Sequence, residues 1–145
     1  MTEFDIQTSL FNHFKTLNTF SGIDFLETDT SGNYTNVHFP NIPFTVPDNK
    51  RYYELTFRSD EPDQVALMDD SQNRYAGILY IDIITPQDVG ESESENKYRW
   101  IAKLFNDKEI GDVLITNVYI ADKGNEADHY RLLVAVVWTA DIDKE

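Results

Sequence analysis

Apolar residues recur at helical spacing near the start of the chain: Ile6, Leu10, Phe14 and Leu17 form one stripe, which Phe11 widens. Thr2 and Asp5, three positions apart, have the form of a capping pair, so the pattern predicts a helix from roughly Glu3 to Leu17. A stretch rich in Ser, Thr, Gly and Asn follows to about Asn33, interrupted by Phe20, Ile23, Phe25 and Leu26, and is expected to fold over an edge of the core. Tyr34 to Phe39 alternates in the manner of a short strand. In Arg51 to Arg58, Tyr53, Leu55 and Phe57 fall on one face and Tyr52, Glu54, Thr56 and Arg58 on the other, the period of a half-buried strand. Pro40, Pro43 and Pro47 precede it, each fixing φ and biasing its predecessor toward extended geometry, so the chain reaches this strand held taut.

Ser59 to Asn73 carries five acids and no base around an apolar centre, Val65 to Met68, and reads either as a loose connection or as an arm that docks elsewhere. Arg74 to Thr85, RYAGILYIDIIT, is the strongest strand pattern in the chain and stops at Pro86. A helix is predicted to begin near Ser92, where Ser92 and Glu95 have capping-box spacing. Glu91, Glu93 and Glu95 suit its positive end. Its buried side draws on Tyr98, Ile101, Leu104 and Phe105, with Trp100 beside them. Val113 to Ala121 and His129 to Thr139 read as two strands of a hairpin joined by the longer loop ADKGNEAD, with a frayed tail after them. The order of elements predicts an α+β fold in one domain, a mixed, largely antiparallel sheet of about five strands with two helices on one face.

That plan leaves apolar surface over. In Arg74 to Thr85, Leu79, Ile81 and Ile83 share one face while Ile78, Tyr80 and Ile84 surround a lone Asp82 on the other. In the last strand Leu133, Ala135 and Val137 oppose Leu132, Val134, Val136 and Trp138. Two helices, each about 10 Å wide, shield one side of a sheet whose strands lie about 4.8 Å apart, not both. Burying an aliphatic side chain is worth roughly 1.5–3 kcal/mol, so a second greasy face is expected to meet either the Phe20–Leu26 and proline segments or a neighbouring subunit.

Composition narrows the functions open to such a fold. With 26 Asp and Glu against 12 Lys and Arg, the formal charge is −14, which disfavours tight binding to a phosphate backbone. Cysteine is absent, excluding disulfides, thiolate nucleophiles and zinc–cysteine sites. The N-terminus lacks the basic and apolar regions of a signal peptide, and no apolar run has membrane-spanning length, so a soluble protein without a membrane partner is expected. His13, His38 and His129 are scattered, the acid clusters lack EF-hand spacing, and no nucleophile elbow, P-loop or dinucleotide fingerprint occurs. No enzymatic activity, cofactor or metal is expected.

Two phrases of the chain, NIPFTVPDNKRYYELTFRSDEP and RYAGILYIDIITPQDVGESESENKYRWIAKLFN, resemble the tail terminator family of long-tailed bacteriophages. In that family an F-x-P-P phrase and a strand ending near Glu-Pro precede R-x-x-G-x-L-x-(V/I)-D-(V/I)-(F/I)-x-P, a glycine-containing loop and a helix closing on an apolar pair. Phe44, Pro47, Glu61, Pro62, Arg74, Gly77, Leu79, Ile81, Asp82, Ile83, Pro86, Gly90, Leu104 and Phe105 occupy those places. The chain has one proline, Pro47, where the family often has two. The similarity spans about residues 1 to 110 and more loosely the remainder.

The resemblance implies a virion protein, assembled in the host cytoplasm, that forms a hexameric ring on the head-proximal end of the tail tube. Such a ring stops tube growth and offers a joining surface to the head–tail connector. Its partners would be its own copies, monomeric when free, the tube protein and the connector, while DNA passes through an acidic lumen without sticking. Under this reading the interface would draw on Val65, Leu67 and Met68 at the tip of the acidic arm, on Arg58 and Arg74 as ion-pair candidates, and on Ile78, Tyr80 and Ile84 of the second face. Asp69, Asp70, Asp122, Glu126 and Asp128 would face the channel. A head-completion or neck protein of the same structural class, and a monomeric acidic module inhibiting a basic partner, are the alternative readings.

Overall fold

Four long strands carry the architecture. The computed structural model describes residues 3–59, 63–64 and 72–143. In chain order these form α1 (Glu3–Phe14), α2 (Leu17–Ser21), β1 (Val37–His38), β2 (Tyr52–Ser59), β3 (Asp63–Gln64), β4 (Gln72–Pro86), a 3-10 turn (Gln87–Val89), α3 (Ser92–Phe105), β5 (Glu109–Ile110), β6 (Val113–Glu126) and β7 (His129–Asp143). The strands make one sheet in the order β1-β2-β4-β7-β6-β5, with β3 paired to β4 off that path. β1 runs parallel to β2 and every other pairing is antiparallel. The expected α+β class holds, with the sheet wider than anticipated because two-residue strands border the long ones.

Period-two alternation decides what meets the helices. Tyr53 and Leu55 of β2, Leu79, Ile81 and Ile83 of β4, and Leu132, Val134, Val136 and Trp138 of β7 share one cluster with Ile6, Leu10 and Phe14 of α1 and Ile101, Leu104 and Phe105 of α3. This is the inner face. Phe14 packs edge-on to Tyr53 at 5.8 Å, and the Phe57 and Trp138 rings stack at 5.4 Å and 9°. Gly77 lies opposite Trp138 in register, and a Cβ there would collide with the Trp138 ring and the Arg58 carbonyl. Only glycine lets the indole lie flat across the strand.

The segment from Ser21 to Asn36 is held by two amide clamps rather than by regular structure. Asn18 donates to the Leu26 carbonyl and accepts from the Leu26 N–H, at 2.7 and 2.8 Å. Asn36, itself buried, does the same between the Phe25 carbonyl and the Glu27 N–H. Both clamps press Phe25 and Leu26 against the inner cluster, so this segment joins the helical layer and does not cross to the other side of the sheet.

Local departures from the sequence expectations have local causes. The first helix stops at Phe14, where the Thr16 hydroxyl donates to the His13 carbonyl; Leu17 opens α2 yet stays buried, so the stripe outlasts the helix. The strand expected over Tyr34 to Phe39 shrinks to β1, helped by an isolated bridge between Thr28 and Tyr34. α3 starts at Ser92 as predicted, but Glu91 stands at its N-cap position and no side chain caps it. The loop expected over Ala121 to Asp128 is mostly strand: β6 runs to Glu126 and turns back through Ala127, at φ 35°, and Asp128. Ala140 to Asp143 continue β7 instead of fraying. Thr2 and most of the acidic arm lie outside the described residues.

Candidate assembly interface

The outer face of the sheet follows from register, since residues paired across strands project to the same side. Glu54 pairs with Asp82 and Asp82 with Leu133; Thr56 pairs with Tyr80, Tyr80 with Ala135 and Ala135 with Tyr119; Arg58 pairs with Ile78, Ile78 with Val137 and Val137 with Asn117. The middle of this face is an apolar band of Ile78, Tyr80, Leu133, Ala135, Val137 and Tyr119. None of the six belongs to the inner cluster or packs against it. Ala135 is buried, Ile78, Tyr80, Leu133 and Val137 are half-buried, and Tyr119 is 40% exposed.

The buried acid of the face is matched inside the chain. Arg131 forks onto Asp82, Nε to Oδ1 at 2.5 Å and Nη2 to Oδ2 at 3.3 Å, and its Nη1 reaches Glu126 Oε1 at 3.4 Å. These carboxylates hold the guanidinium protonated beyond its ordinary range, hydrogen bonding to Asp82 outweighing the opposing effect of burial. Asp82 thus sits buried in the apolar band without an uncompensated charge. At the turn, His129 bonds Asp128 at 3.1 Å, and Lys50 comes within 3.9 Å of the same carboxylate. The His129 bond is the main reason that the Asp128 carboxyl is held below its usual value.

One margin of the face is bordered by the proline segment. Phe44 stacks on His38 at 4.9 Å and 8° and leans on Tyr52 at 5.3 Å, while His38 Nδ1 approaches Glu54 at 3.5 Å. Of the two internal covers considered from sequence, the Phe20–Leu26 segment is therefore on the wrong side of the sheet and the proline segment reaches only its edge.

Arg58, Ile78, Tyr80 and Ile84 are brought onto this one face; Ile84, beside Tyr52 and Arg131 in register, is already buried. Arg74 stands in β4, in register with Asp63 and Asp141. Asp122 projects from β6 and accepts the Lys123 N–H, and Glu126 and Asp128 are occupied as described, so these three acids belong to a strand end and a tight turn. Val65, Leu67, Met68, Asp69 and Asp70 lie outside the described residues. The Asp82–Arg131 pair was missed from sequence, although one acid in an apolar strand and one arginine in the strand beside it were the available signal.

On the helical side, Glu93 ties Arg51 at 2.8 Å and Lys97 at 3.3 Å beside a cavity of about 200 Å³ lined also by Asp24, Glu27, Asn36 and Asn49. Burial pushes Glu93 up, but the Arg51 and Lys97 contacts pull harder and leave it below the usual carboxyl range. Burial lowers Lys97, with Glu93 opposing it in part. The network bridges α3 to the start of β2. Among the described residues no three potential ligands gather as a metal site would need, and no helix is long and apolar enough to cross a membrane.

The sequence that builds this α+β domain matches a known protein family. The family described as phage tail terminator protein covers residues 24–130, more than half of the chain. The chain belongs to the phage tail terminator family. That family comprises structural phage proteins and is not a family of enzymes, so the terminator is a structural component of a phage tail. No curated protein matches the chain. A solved structure shares its fold, with a TM-score of 0.68 and 15% identity over 100% of this chain and 99% of the other.

Proposed function

We propose that this terminator acts as a ring: sister copies, six to a closed assembly, sit on the head-proximal end of the tail tube, end its polymerisation and present the surface to which the head connector joins. The observation that carries this reading is the apolar band Ile78–Tyr80–Leu133–Val137, which the helices leave open and which an assembly on the tube end would cover. An area of this kind marks an interaction site. Family membership supplies the tail as the setting.

Charge sets the conditions. Copies at −14 each repel one another, so apolar contact has to exceed that repulsion, which salt weakens within a Debye length of about 8 Å at physiological strength. Free subunits then remain apart until a tube end gathers them, and DNA meets an acidic wall to which it does not adhere. Sedimentation of the chain with and without purified tail tubes, followed by electron microscopy of the tube ends, tests the reading. Closed rings at tube ends and an arrested tube length are expected. Tubes that grow unchecked in the presence of the protein and carry no added density would end it.

A further inference from the structure

Most of one edge of β6 meets no other strand among the described residues. β5 pairs with β6 only at Val113 and Leu114, and the Ile115 N–H is taken by the Lys108 carbonyl. From Thr116 to Glu126 one side of β6 meets no other strand among the described residues. Natural sheets blunt such edges with lysine, proline, β-bulges or a covering element, because a row of free N–H and C=O groups is a template for another strand. Thr116 to Ala121, TNVYIA, has no charge and no proline, is rich in strand-forming residues, and leaves Tyr119 and Ile120 exposed by 40% and 36%. Its only interruptions are two register shifts, at Ile115/Asn117 and Ile120/Asp122, with regular pairing between them.

The opposite side of the sheet offers a second edge of different character. β1 covers β2 only at Tyr53 and Glu54, so Leu55 to Ser59 is also unpaired on that side among the described residues. That stretch carries the exposed Arg58 and no acid, whereas the uncharged part of β6 is bracketed by the exposed acids Asp112 and Asp122. In a chain whose copies otherwise repel, Arg58 on one edge and Asp122 on the other supply one pair of opposite charges, with Glu54 and Lys123 beside them. The two edges are also different surfaces, and contact between different surfaces runs head to tail and closes as a ring when the rotation permits.

We infer that the sheet continues from copy to copy, the free edge of β6 in one subunit pairing with the free edge of β2 in the next. This rests on the ring reading and gives it a specific contact. Main-chain hydrogen bonds would supply direction and the adjoining apolar bands would then form one continuous surface.

The chain contains no cysteine, so introduced thiols report this contact alone. Thr56→Cys or Arg58→Cys is combined with Asn117→Cys or Tyr119→Cys, and the four double variants are incubated with purified tail tubes and a short bismaleimide. At least one combination is expected to give a ladder of covalent multimers ending at the closed ring, with each single variant remaining monomeric in denaturant. Dimers from Asn117→Cys alone would show β6 pairing with β6 about a two-fold axis and overturn the proposal. Rings that form without cross-linking in any of the four also overturn it, while leaving the ring reading standing; failure of the unmodified chain to form rings on tubes removes both. Independently, Asn117→Lys with Tyr119→Lys is expected to lower ring yield on the order of tenfold by charging the edge, with the circular dichroism of the free chain unchanged. Undiminished yield counts against the contact.

Discussion

Along β7, successive residues alternate between two different fates. Leu132, Val134, Val136 and Trp138 are fully buried beneath the helices, while Leu133 and Val137, one position away, stay half-buried on the other side with no helix over them. Strand chemistry is nearly the same on both sides, so what separates them is not hydrophobicity but supply: α1 and α3 suffice for one face. A sheet apolar on both sides is thus covered by helices on one side alone.

The comparison predicts that equal truncations on the two sides are felt in different assays. Trp138→Ala removes the largest buried side chain and its stack on Phe57, and is expected to cost about 3–5 kcal/mol in denaturant unfolding. Gly77→Ala places a methyl group against the same indole and the Arg58 carbonyl, for a loss of about 1–3 kcal/mol from overpacking. Arg131→Met leaves Asp82 buried without its fork and should lower stability by about 1–3 kcal/mol, reduced by the partial exposure of both groups. Val137→Ser and Ile78→Ser, on the open side, are expected to change unfolding by less than about 1 kcal/mol each. Their effect should appear as lost assembly on tubes. Wild-type assembly in the pair, or unfolding as severe as that of Trp138→Ala, would erase the distinction between the faces.

The smallest effect concerns the helical side. Glu93 titrates below its ordinary value, so between the two values the unfolded chain holds more protons than the folded one. Its contribution is fully present above the ordinary carboxyl range and is lost as the pH falls through the lowered value. Glu93→Gln should therefore flatten that part of the acid limb of the stability curve, by under about 1 kcal/mol because the group is partly exposed. Identical acid limbs for the two proteins would show that Glu93 carries no such linkage.

Much of this was legible in the residues. The alternation in Arg51–Arg58, Arg74–Thr85 and His129–Thr139 sorted the central residues of each strand onto the two faces, because a half-buried strand has a period that nothing else imitates over eight or more positions. It left out Tyr75 and Tyr130 and did not say which face the helices cover. The excess of apolar surface followed from the same count. Less legible were features set by distant partners. ADKGNEAD reads as a loop by composition, yet β7 supplies a ladder that carries β6 through it. Ser92 and Glu95 have capping-box spacing, but Ser94, two positions on, is drawn inward to Thr85 and the helix starts without a side-chain cap. Asp82 gave no hint of which cation it meets until β4 and β7 were laid side by side.

The proline segment carries a last consequence. Asn41 and Lys50, both in the left-handed region at φ 62° and 57°, bracket it, Lys50 donates back to the Pro47 carbonyl, and Phe44 is wedged between His38 and Tyr52. Ile42 and Val46 are held outward on this brace, each more than half exposed. Whatever lands on those two side chains meets a shape already made, and the ordering entropy that a slack loop would forfeit on docking has been surrendered beforehand, when the chain folded.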